Sequence, residues 1–329
     1  MTNCECGKPA VAHLYYCNRH FCAAHFIRMF DKRFRKTVRK FSMLRKGDRV
    51  AVGLSGGKDS TVLLHSLAEL KKDLPFELVA ITIDEGIRGY RERTLRIAKE
   101  ECKKLGVEHV VYRFDKEAGK TLDKLVKNTN TKRGAGCGKE SCDLPCSQCG
   151  VLRRYLLNKG AREVGATKLA MGHNLDDMAQ TVMMNIMRNE PSRLARLNEP
   201  MVKNARFVTR IRPLMLTPEK ENAIYAYLKG IELEHVECPY AHFAFRSHVR
   251  KMLNETEERY PGTKFKIVNS FLDMEGALHS HYSKGVKLAE CESCGEPAAK
   301  DGICMYCRMI TSSGAGNRTG GRGKTGKAR

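Results

Sequence analysis

The stretch VAVGLSGGKDSTVLLH, from Val50 to His65, decides the fold. An apolar run breaks at Ser55 to Gly57, and a second apolar run with helical spacing begins after Lys58. This pattern predicts a strand, a glycine-rich turn and a helix. Such a turn presents backbone N–H groups at the positive end of the helix dipole, which favours a bound phosphate. The stretch therefore predicts a nucleotide site at the end of a strand.

Two common phosphate-binding loops do not fit this stretch. The Walker pattern G-x4-G-K-[ST] fails because Gly53 and Gly57 are one residue too close, and Asp59 stands where a hydroxyl residue is needed. The dinucleotide pattern G-x-G-x-x-G is also absent. The sequence SGGKDS, from Ser55 to Ser60, resembles the PP-loop of the ATP pyrophosphatases, which cleave ATP between the α and β phosphates and leave an adenylated substrate.

The resemblance to the PP-loop implies roles for the matching residues. The backbone around Ser55–Gly57, together with Ser60, would hold pyrophosphate. Lys58 would neutralise its charge, and Asp59 would orient Mg²⁺ or the phosphates. The predicted nucleotide-binding residues of the loop are Gly53, Leu54, Ser55, Gly56, Gly57, Lys58, Asp59 and Ser60.

Two later segments follow predicted strands and extend the nucleotide site. Ile83, in ITIDEGIR, lies where adenine would be recognised through the backbone. In MGHNLDD, Gly172 is placed to lie against the nucleotide and Asp177 is the candidate for chemistry. Ligands of open α/β sheets gather at the carboxyl ends of strands, which is where both segments fall. Asp176 is instead the candidate N-cap of the following helix. We interpret His173 as a structural histidine.

The charge of the chain indicates a polyanionic partner. The 329 residues include 59 Lys and Arg against 37 Asp and Glu, a formal net charge of +22. An enzyme for a small metabolite gains nothing from this self-repulsion, whereas binding to nucleic acid is strengthened by it, because each neutralised phosphate releases counterions. The basic residues are spread over Arg28–Arg49, Lys99–Lys139, Arg188–Arg212 and the C-terminal tail. We expect a nucleic-acid partner.

Cysteine usage and the absence of long apolar runs predict a cytoplasmic protein. The chain has 14 cysteines, many of them in short C-x2-C pairs, which in a reducing compartment indicates bound metal. No apolar run approaches the length of about 20 residues that a membrane span needs. The start MTNCECGKPA lacks the apolar segment of a signal peptide.

Alternating apolar runs and amphipathic stretches predict an α/β domain with a doubly wound parallel sheet at residues 31–280. Small cysteine-rich modules flank it at 1–30 and 288–310, and the glycine-rich basic segment 311–329 is expected to be disordered. The predicted strands are Arg49–Leu54, Glu77–Asp84, Glu108–Phe114 and Lys168–Gly172. The predicted helices are Ser60–Lys72, Tyr90–Leu105, Val151–Val164, Asp176–Met187 and Glu219–Lys229.

The C-terminal module contains two C-x2-C pairs, Cys291 with Cys294 and Cys304 with Cys307. Four thiolates close a tetrahedral site, which is typical of structural zinc. An iron–sulfur cluster is the alternative for the same residue set. We predict a zinc finger at residues 288–310.

The N-terminal module predicts a second zinc finger with a less certain ligand set. Cys22-x2-His25 has the spacing of half a zinc site, and Cys4 with Cys6 supplies the other half. The C-x-C spacing is tight for a metal-binding turn. Cys17 or His20 is therefore an alternative to Cys4 or Cys6.

A third set of cysteines differs from the two fingers. Cys146-x2-Cys149 opens a predicted helix, and Cys238 stands alone far downstream. Three thiolates on an iron–sulfur cluster leave one iron open, which distinguishes a reactive metal site from a structural one. The alternatives are half a zinc site or a redox dithiol for the pair, and a buried apolar role for Cys238. Cys137 and Cys142 have no assigned role.

Taken in order, the N-terminal finger, SGGKDS, CSQCGVLRRYLLN, MGHNLDD, ECPY and the C-terminal finger resemble the tRNA 2-thiouridine synthetases of the TtuA/NcsA type. The resemblance extends over roughly residues 3–308. It implies ATP-dependent adenylation of the C2 oxygen of a tRNA uridine, followed by displacement of AMP by sulfide. It also implies Mg²⁺ with the ATP, two zinc ions, a homodimer, and sulfide or a sulfur-carrier protein as donor.

The same resemblance implies a [4Fe-4S] cluster on Cys146, Cys149 and Cys238, with the incoming sulfur on its open iron. Arg153 matches a basic position near the α-phosphate and joins the nucleotide-binding residues. The implied catalytic residues are Lys58, Asp59, Arg153 and Asp177.

Three questions remain open at the level of the sequence: the N-terminal ligands, the target uridine and the function itself. The chain departs from the family at Cys4 and Cys6, which are C-x-C where the family has C-x2-C. The target is the wobble uridine or one in the T-loop, and the archaeal-like organisation favours the wobble base. The competing functions are a persulfide-based or 2-thiocytidine tRNA thiolase and a non-catalytic zinc-finger RNA-binding protein.

Overall fold

A computed structural model describes residues 3–132, 144–198, 204–233, 238–240, 245–285, 288–298 and 301–312. Cys137, Cys142 and the tail 313–329 lie outside the described residues. The strands are β1 (Ala12–Leu14), β2 (Arg19–Phe21), β3 (Arg49–Gly53), β4 (Glu77–Asp84), β5 (Glu108–Arg113), β6 (Lys168–Met171), β7 (Thr209–Ile211), β8 (Ala289–Glu290) and β9 (Pro297–Ala298).

The α-helices follow in chain order. They are α1 (Ala23–Lys40), α2 (Lys58–Leu70), α3 (Arg91–Leu105), α4 (Phe114–Glu117), α5 (Leu122–Lys132), α6 (Leu144–Glu163), α7 (Leu175–Met187), α8 (Pro191–Leu194), α9 (Glu219–Leu228), α10 (Phe245–Arg259), α11 (Thr263–Tyr282) and α12 (Met305–Ser312). Among the described residues, no helix combines the length and the apolar character needed to cross a bilayer.

The centre of the fold is a parallel sheet with the strand order β5-β4-β3-β6-β7. Gly53, at the end of β3, pairs with Ile81 of β4 on one side and Met171 of β6 on the other. The chain moves outward through β4 and β5, then crosses back to β6 and β7. The order therefore reverses between β3 and β6, and such a switch point is where open α/β sheets bind ligands.

Two apolar clusters cover the two faces of this sheet, which confirms the predicted doubly wound α/β fold. Along β3, Val50 and Val52 lie in one cluster and Ala51 in the other, as expected for a strand whose side chains alternate. Both faces being buried explains why the central strands read as continuous apolar runs.

The four predicted strands are present, with ends within one residue of the prediction. β7 was not predicted because it has only three residues, and arginines flank its apolar Ile211. The predicted helix at Val151–Val164 begins earlier, at Leu144, so that α6 includes the cysteine pair.

The N-terminal module is joined to the sheet domain by α1. This helix begins between Cys22 and His25 and continues to Lys40. Its residues Phe26, Phe30 and Phe34 are spaced by four and buried in the main core. Phe30 stacks on Tyr225 of α9, with ring centroids 3.9 Å apart. One helix thus carries His25 of the cysteine-rich module and core residues together.

The C-terminal module packs on α6. Tyr306 of α12 stacks on Tyr155 with ring centroids 3.6 Å apart and nearly parallel planes. Its hydroxyl donates a 2.8 Å hydrogen bond to the carbonyl of Glu117. Arg162 of α6 forms an ion pair with Glu296, next to the cysteines of the module. The helix that carries Cys146 and Cys149 is therefore buttressed by the C-terminal finger.

Candidate active site

The loop between β3 and α2 has a backbone that only glycine allows. Gly56 has φ of +78°, and a Cβ atom there would lie 1.9 Å from the carbonyl oxygen of Thr94. A Cβ atom on Gly172 would lie 3.0 Å from the backbone nitrogen of Ser60. The end of β6 therefore packs directly on the start of α2, and the loop is fixed by contacts on two sides.

Hydroxyl groups hold the loop in a tight turn. The Ser60 hydroxyl donates to the carbonyl of Gly57 at 2.9 Å and accepts from the backbone N–H of Ser55 at 3.1 Å. The hydroxyl oxygens of Ser55 and Ser60 lie 2.9 Å apart. Since α2 begins at Lys58, its first N–H groups point out of this turn, which is the arrangement that receives phosphate.

Lys58 and Asp59 meet α9 at the mouth of the loop. The Lys58 ammonium lies 3.0 Å from Oε1 of Glu219 and 3.6 Å from Oδ1 of Asp59. The side-chain amide of Asn222 donates to Asp59 at 2.7 Å. Burial raises the pKa of the Asp59 carboxyl, while Lys58 and Asn222 act in the opposite direction. A cation at this point would favour the ionised form.

Asp177 lies at the start of α7, after β6. Asn174 caps the helix in a capping box with Asp177, since each side chain accepts from the other residue's N–H. Burial raises the pKa of Asp177 to about 6, Arg246 at 3.8 Å opposes this, and Asp59 adds to it. Asp59 and Asp177 therefore form a pair of carboxyls in one electrostatic environment.

Asp176 has a different role from the helix cap that the sequence allowed. Its carboxylate accepts the backbone N–H of Glu219 at 2.7 Å and forms a buried ion pair with Lys264. It therefore joins α7 to the start of α9 and to α11. The cap of α7 is Asn174.

A buried ion pair connects the loop to the end of β4. Arg91 donates to the carbonyl of Ser55 at 2.7 Å and to the carbonyl of Ile83. Its Nε lies 3.0 Å from Oε2 of Glu85, whose other oxygen lies 3.3 Å from Nε of Arg153. Glu85 thus links the nucleotide loop to the helix that carries the cysteine pair.

Sequence reasoning missed Glu85, Arg91 and Asn222. Glu85 and Arg91 are almost fully buried, yet they stand in the charged segment DEGIRGYRER, which reads as a solvated loop and helix start. The one signal in the sequence was their position just after β4, at the carboxyl edge of the sheet. Nothing in the sequence marks Asn222.

The structure places the three middle cysteines at the same edge. The Cys146 thiol donates to the carbonyl of Tyr240 at 3.4 Å, two residues beyond Cys238. Cys149 and Cys238 pack against one apolar cluster. Burial raises the pKa of the Cys149 thiol to about 12, and the nearby Arg153 opposes the shift. An uncharged thiol is thus the favoured form of Cys149 unless a cation binds.

Two other groups have the compact spacing of a single-ion site. Within the described ranges, the ligand atoms of each group lie within 4.8 Å of one another, and the three middle cysteines do not form such a group. The two groups are Cys4, Cys6, Cys22 and His25, and Cys291, Cys294, Cys304 and Cys307. Either group could hold a tetrahedral ion.

The alternative N-terminal ligands lie elsewhere. The exposed Cys17 thiol donates to the carbonyl of Leu14 at 3.5 Å. The ring of His20 stacks on His13, with centroids 4.1 Å apart. Neither belongs to the compact group, whereas Cys4 lies 3.2 Å from Nδ1 of His25. The C-x-C spacing is therefore compatible with both thiols reaching one ion.

The chain matches a known protein family and several curated proteins. The model of the PP-loop domain family matches residues 28–256. The tRNA 2-thiolation protein NcsA of Haloferax volcanii is 36% identical over 324 residues, covering 94% of this chain and 98% of that protein. The tRNA-5-methyluridine(54) 2-sulfurtransferase of Pyrococcus horikoshii is 32% identical and covers 92% of each chain.

A solved structure gives the same relationship over nearly the whole length. The U34-tRNA thiolase NcsA from Methanococcus maripaludis, solved with its [4Fe-4S] cluster, superimposes with a TM-score of 0.78. The two sequences are 33% identical, and the match covers 95% of this chain and 96% of that one. The chain therefore belongs to the PP-loop domain family and, within it, to the tRNA 2-thiolation proteins.

Proposed function

We propose that this chain is an ATP-dependent tRNA uridine 2-sulfurtransferase. The observation that carries the proposal is the bridge through Glu85, which contacts Arg91 on the side of the PP-loop and Arg153 on the side of the cysteines. An adenylating site and a thiol site thus share one carboxyl edge of one sheet. An ATP-driven replacement of oxygen by sulfur needs both.

The loop residues would perform the adenylation. Uridine O2 attacks the α-phosphorus of ATP, and pyrophosphate leaves. Lys58 would exchange Glu219 for the phosphates and neutralise them, and Asp59 and Asp177 are the carboxylates that would hold Mg²⁺. Arg153, which is half-exposed beside Glu85, is placed to meet the α-phosphate. Sulfide then adds to C2, and AMP leaves with the original oxygen.

The three middle cysteines fit a [4Fe-4S] cluster better than a single ion. Thiolates on one ion crowd together, as in the two finger groups, whereas cluster thiolates bind separate irons and stand further apart. Cys146, Cys149 and Cys238 are the ligands we propose, in a partly apolar pocket. A cluster held by three thiolates supplies an open iron for sulfur. The chain's part is to hold the thiols beside Arg153.

The remaining assignments follow the relatives described above. We propose the wobble uridine as target, because the solved thiolase named for U34 matches 95% of this chain at 33% identity, whereas the position-54 enzyme matches 92% at 32%. Zinc in the two finger groups would stabilise the modules that flank the site. We further propose a homodimer acting in the cytoplasm, with sulfide or a sulfur-carrier protein as donor.

Anaerobic thiolation of unmodified tRNA tests this function. The cluster-reconstituted protein is incubated with ATP, Mg²⁺ and sulfide, and the nucleosides are analysed by mass spectrometry. We expect 2-thiouridine at position 34 from the native chain and from the control Cys17→Ser, and none from Cys238→Ala. Equal yield without iron would support the persulfide alternative. Tight tRNA binding without any thiolated nucleoside would support the RNA-binding alternative.

A further inference from the structure

Arginines converge on the side of the site that lies beyond β6. Arg210 and Arg212 are two residues apart on β7 and just after it, so their side chains point to the same side of the sheet. Arg210 donates to the carbonyl of Arg154 on α6 at 3.3 Å. The arginines that influence one another or the adjoining His173 are Arg153, Arg154, Arg193, Arg196, Arg210, Arg212 and Arg246.

Arg154 of α6 and the two arginines at β7 lack an acidic partner at ion-pair distance. Arg246 lies near Asp177 and Arg153 near Glu85, but in the part of the chain that the structure describes, Arg154, Arg210 and Arg212 form no ion pair. Among the described residues, the carboxylate whose charge favours the protonated form of Arg212 is Glu275.

Burial and this crowding of positive charge lower the pKa of Arg210 and of His173. Burial, followed by the charges of Arg212 and Arg154, lowers the pKa of Arg210 to about 10. Burial, followed by Arg212 and Arg246, lowers the pKa of His173. Like charges gathered on a partly buried surface destabilise the fold, and a bound anion would remove that penalty.

The position of the cluster separates it from the nucleotide. Adjacent strands lie about 4.8 Å apart, so β7 is about 10 Å from β3 and the PP-loop. The proposed adenine contact, Ile83, lies at the end of β4, on the opposite side of β3. ATP would therefore extend from the PP-loop toward β4, which leaves the β7 side for the other substrate.

We propose that Arg154, Arg210 and Arg212 form a phosphate seat that holds the RNA backbone beside the reacting uridine. This inference rests on the proposed function, since it assigns the second substrate to that site. Guanidinium groups bind phosphate oxygens in a bidentate manner, and backbone contacts set the register of a nucleic acid without reading its sequence. A base that leaves its stack to react needs its flanking backbone held in place.

The test is the salt dependence of tRNA binding by the double variant Arg210→Gln/Arg212→Gln. We expect tRNA affinity to fall about tenfold and the slope of log K against log salt to fall by about one per lost phosphate contact. ATP affinity should stay unchanged. The melting temperature without RNA should change little, because the relief of repulsion offsets the loss of the hydrogen bond from Arg210 to the carbonyl of Arg154.

A matched control removes the same charge elsewhere. Arg93→Gln/Arg96→Gln takes two exposed cations from α3, on the far side of β3 from β7 and outside the basic regions named above, and should leave the slope unchanged. An exposed second probe, Arg154→Gln, should lower the slope by about one even if the strand variant does not fold.

Three outcomes would overturn the seat. They are a slope in the test variant equal to that of the control, a loss of ATP affinity with tRNA binding intact, and a large drop in melting temperature without a change in slope. The second outcome would assign the arginines to ATP phosphates. Because the readout is binding, a chain that binds tRNA in this way but does not thiolate it would overturn the proposed function and leave the seat standing.

Discussion

The side-chain amide of Asn222 donates a 2.7 Å hydrogen bond to Oδ1 of Asp59. The two residues are 163 positions apart in the chain, so a helix that follows the whole sheet positions the acid of the PP-loop. Asn222 is fully buried and Asp59 is partly exposed. Because the donor stabilises the carboxylate, it opposes the effect of burial on that group. Asn222 is a positioning residue of the site.

Replacing Asn222 with alanine should shift the pH dependence of AMP formation. Loss of the donor raises the pKa of Asp59 further, and the carboxylate is the form that holds Mg²⁺. The acidic limb of the rate profile should therefore move to higher pH, and the loss of rate should be greater at pH 6 than at pH 8. The measurement is ATP consumption across this range at saturating Mg²⁺.

Asn185→Ala is the control for this change. Asn185 is also buried, and its amide donates to the carbonyl of Thr181 at 2.8 Å, away from Asp59. It should cost stability by about 1–2 kcal/mol without moving the pH profile. An Asn222→Ala enzyme that loses rate by the same factor at every pH would show that the amide does not act through Asp59.

Asp177→Asn should stabilise the protein at neutral pH. The pKa of Asp177 is raised from 3.8 to about 6, so the native state holds this proton more tightly than the unfolded state. The contribution of Asp177 to the free energy of unfolding therefore falls as pH rises from about 4 to about 6. Asparagine keeps an acceptor for the capping box and removes the desolvated charge.

The stabilisation by Asp177→Asn should depend on pH in a way that can be measured. The gain from Asp177→Asn should grow by about 2 kcal/mol between pH 4.5 and pH 7.5, and stay constant above that range. Denaturant unfolding of both proteins at these pH values tests it. A gain that is equal at both pH values, or a loss at pH 7.5, would contradict the raised pKa.

The sequence predicted the parts of the site that one local segment determines. The turn at Gly56 and the start of α7 each depend on residues within a few positions, and both lie close to where the pattern placed them, although Asn174 rather than Asp176 caps the helix. Glu85, Arg91 and Asn222 were out of reach because their burial depends on segments that meet only in the folded chain. The local sequence around a charged residue in a polar segment does not indicate whether that residue forms a buried ion pair.

The strands of the sheet also differ in how far the local sequence predicts them. β3 and β4 are buried on both faces and therefore read as apolar runs. β7 is a three-residue edge strand with an exposed Thr209, and it exists because β6 offers a pairing edge. Arg210 lies beside α6 because β7 pairs with β6, and no local sequence pattern reports that pairing. Short edge strands near a site are therefore missed by periodicity.

Gly56→Ala should weaken nucleotide binding strongly. A methyl group there meets the carbonyl oxygen of Thr94 at 1.9 Å, and the backbone has φ of +78°, so the loop must open to accept it. Since the neighbour is backbone, no rotamer change relieves the clash. We expect ATP affinity to fall at least tenfold, measured by calorimetry with a non-hydrolysable analogue.

Gly165→Ala separates the clash from backbone strain. Gly165 has a similar φ of +67°, but nothing lies within 4 Å of the position that a Cβ atom would take there. This substitution should cost about 1–2 kcal/mol of stability and leave ATP affinity unchanged. If both variants bound ATP as the native chain does, the close approach of the loop to Thr94 would not be needed for the nucleotide.

The N-terminal ligand set predicts which thiol the zinc depends on. Cys6 and Cys17 are both exposed, but Cys6 lies 3.7 Å from the Cys22 sulfur in the compact group, whereas Cys17 faces the carbonyl of Leu14. Cys6→Ser should lower the zinc content from two ions per chain to one and reduce the melting temperature, because the metal's binding energy contributes to folding. Cys17→Ser should keep both ions. Metal analysis of the purified variants decides the point. Loss of zinc from Cys17→Ser would return Cys17 to the ligand set, whereas loss of zinc from Cys6→Ser alone would show that both thiols of the C-x-C pair bind this ion.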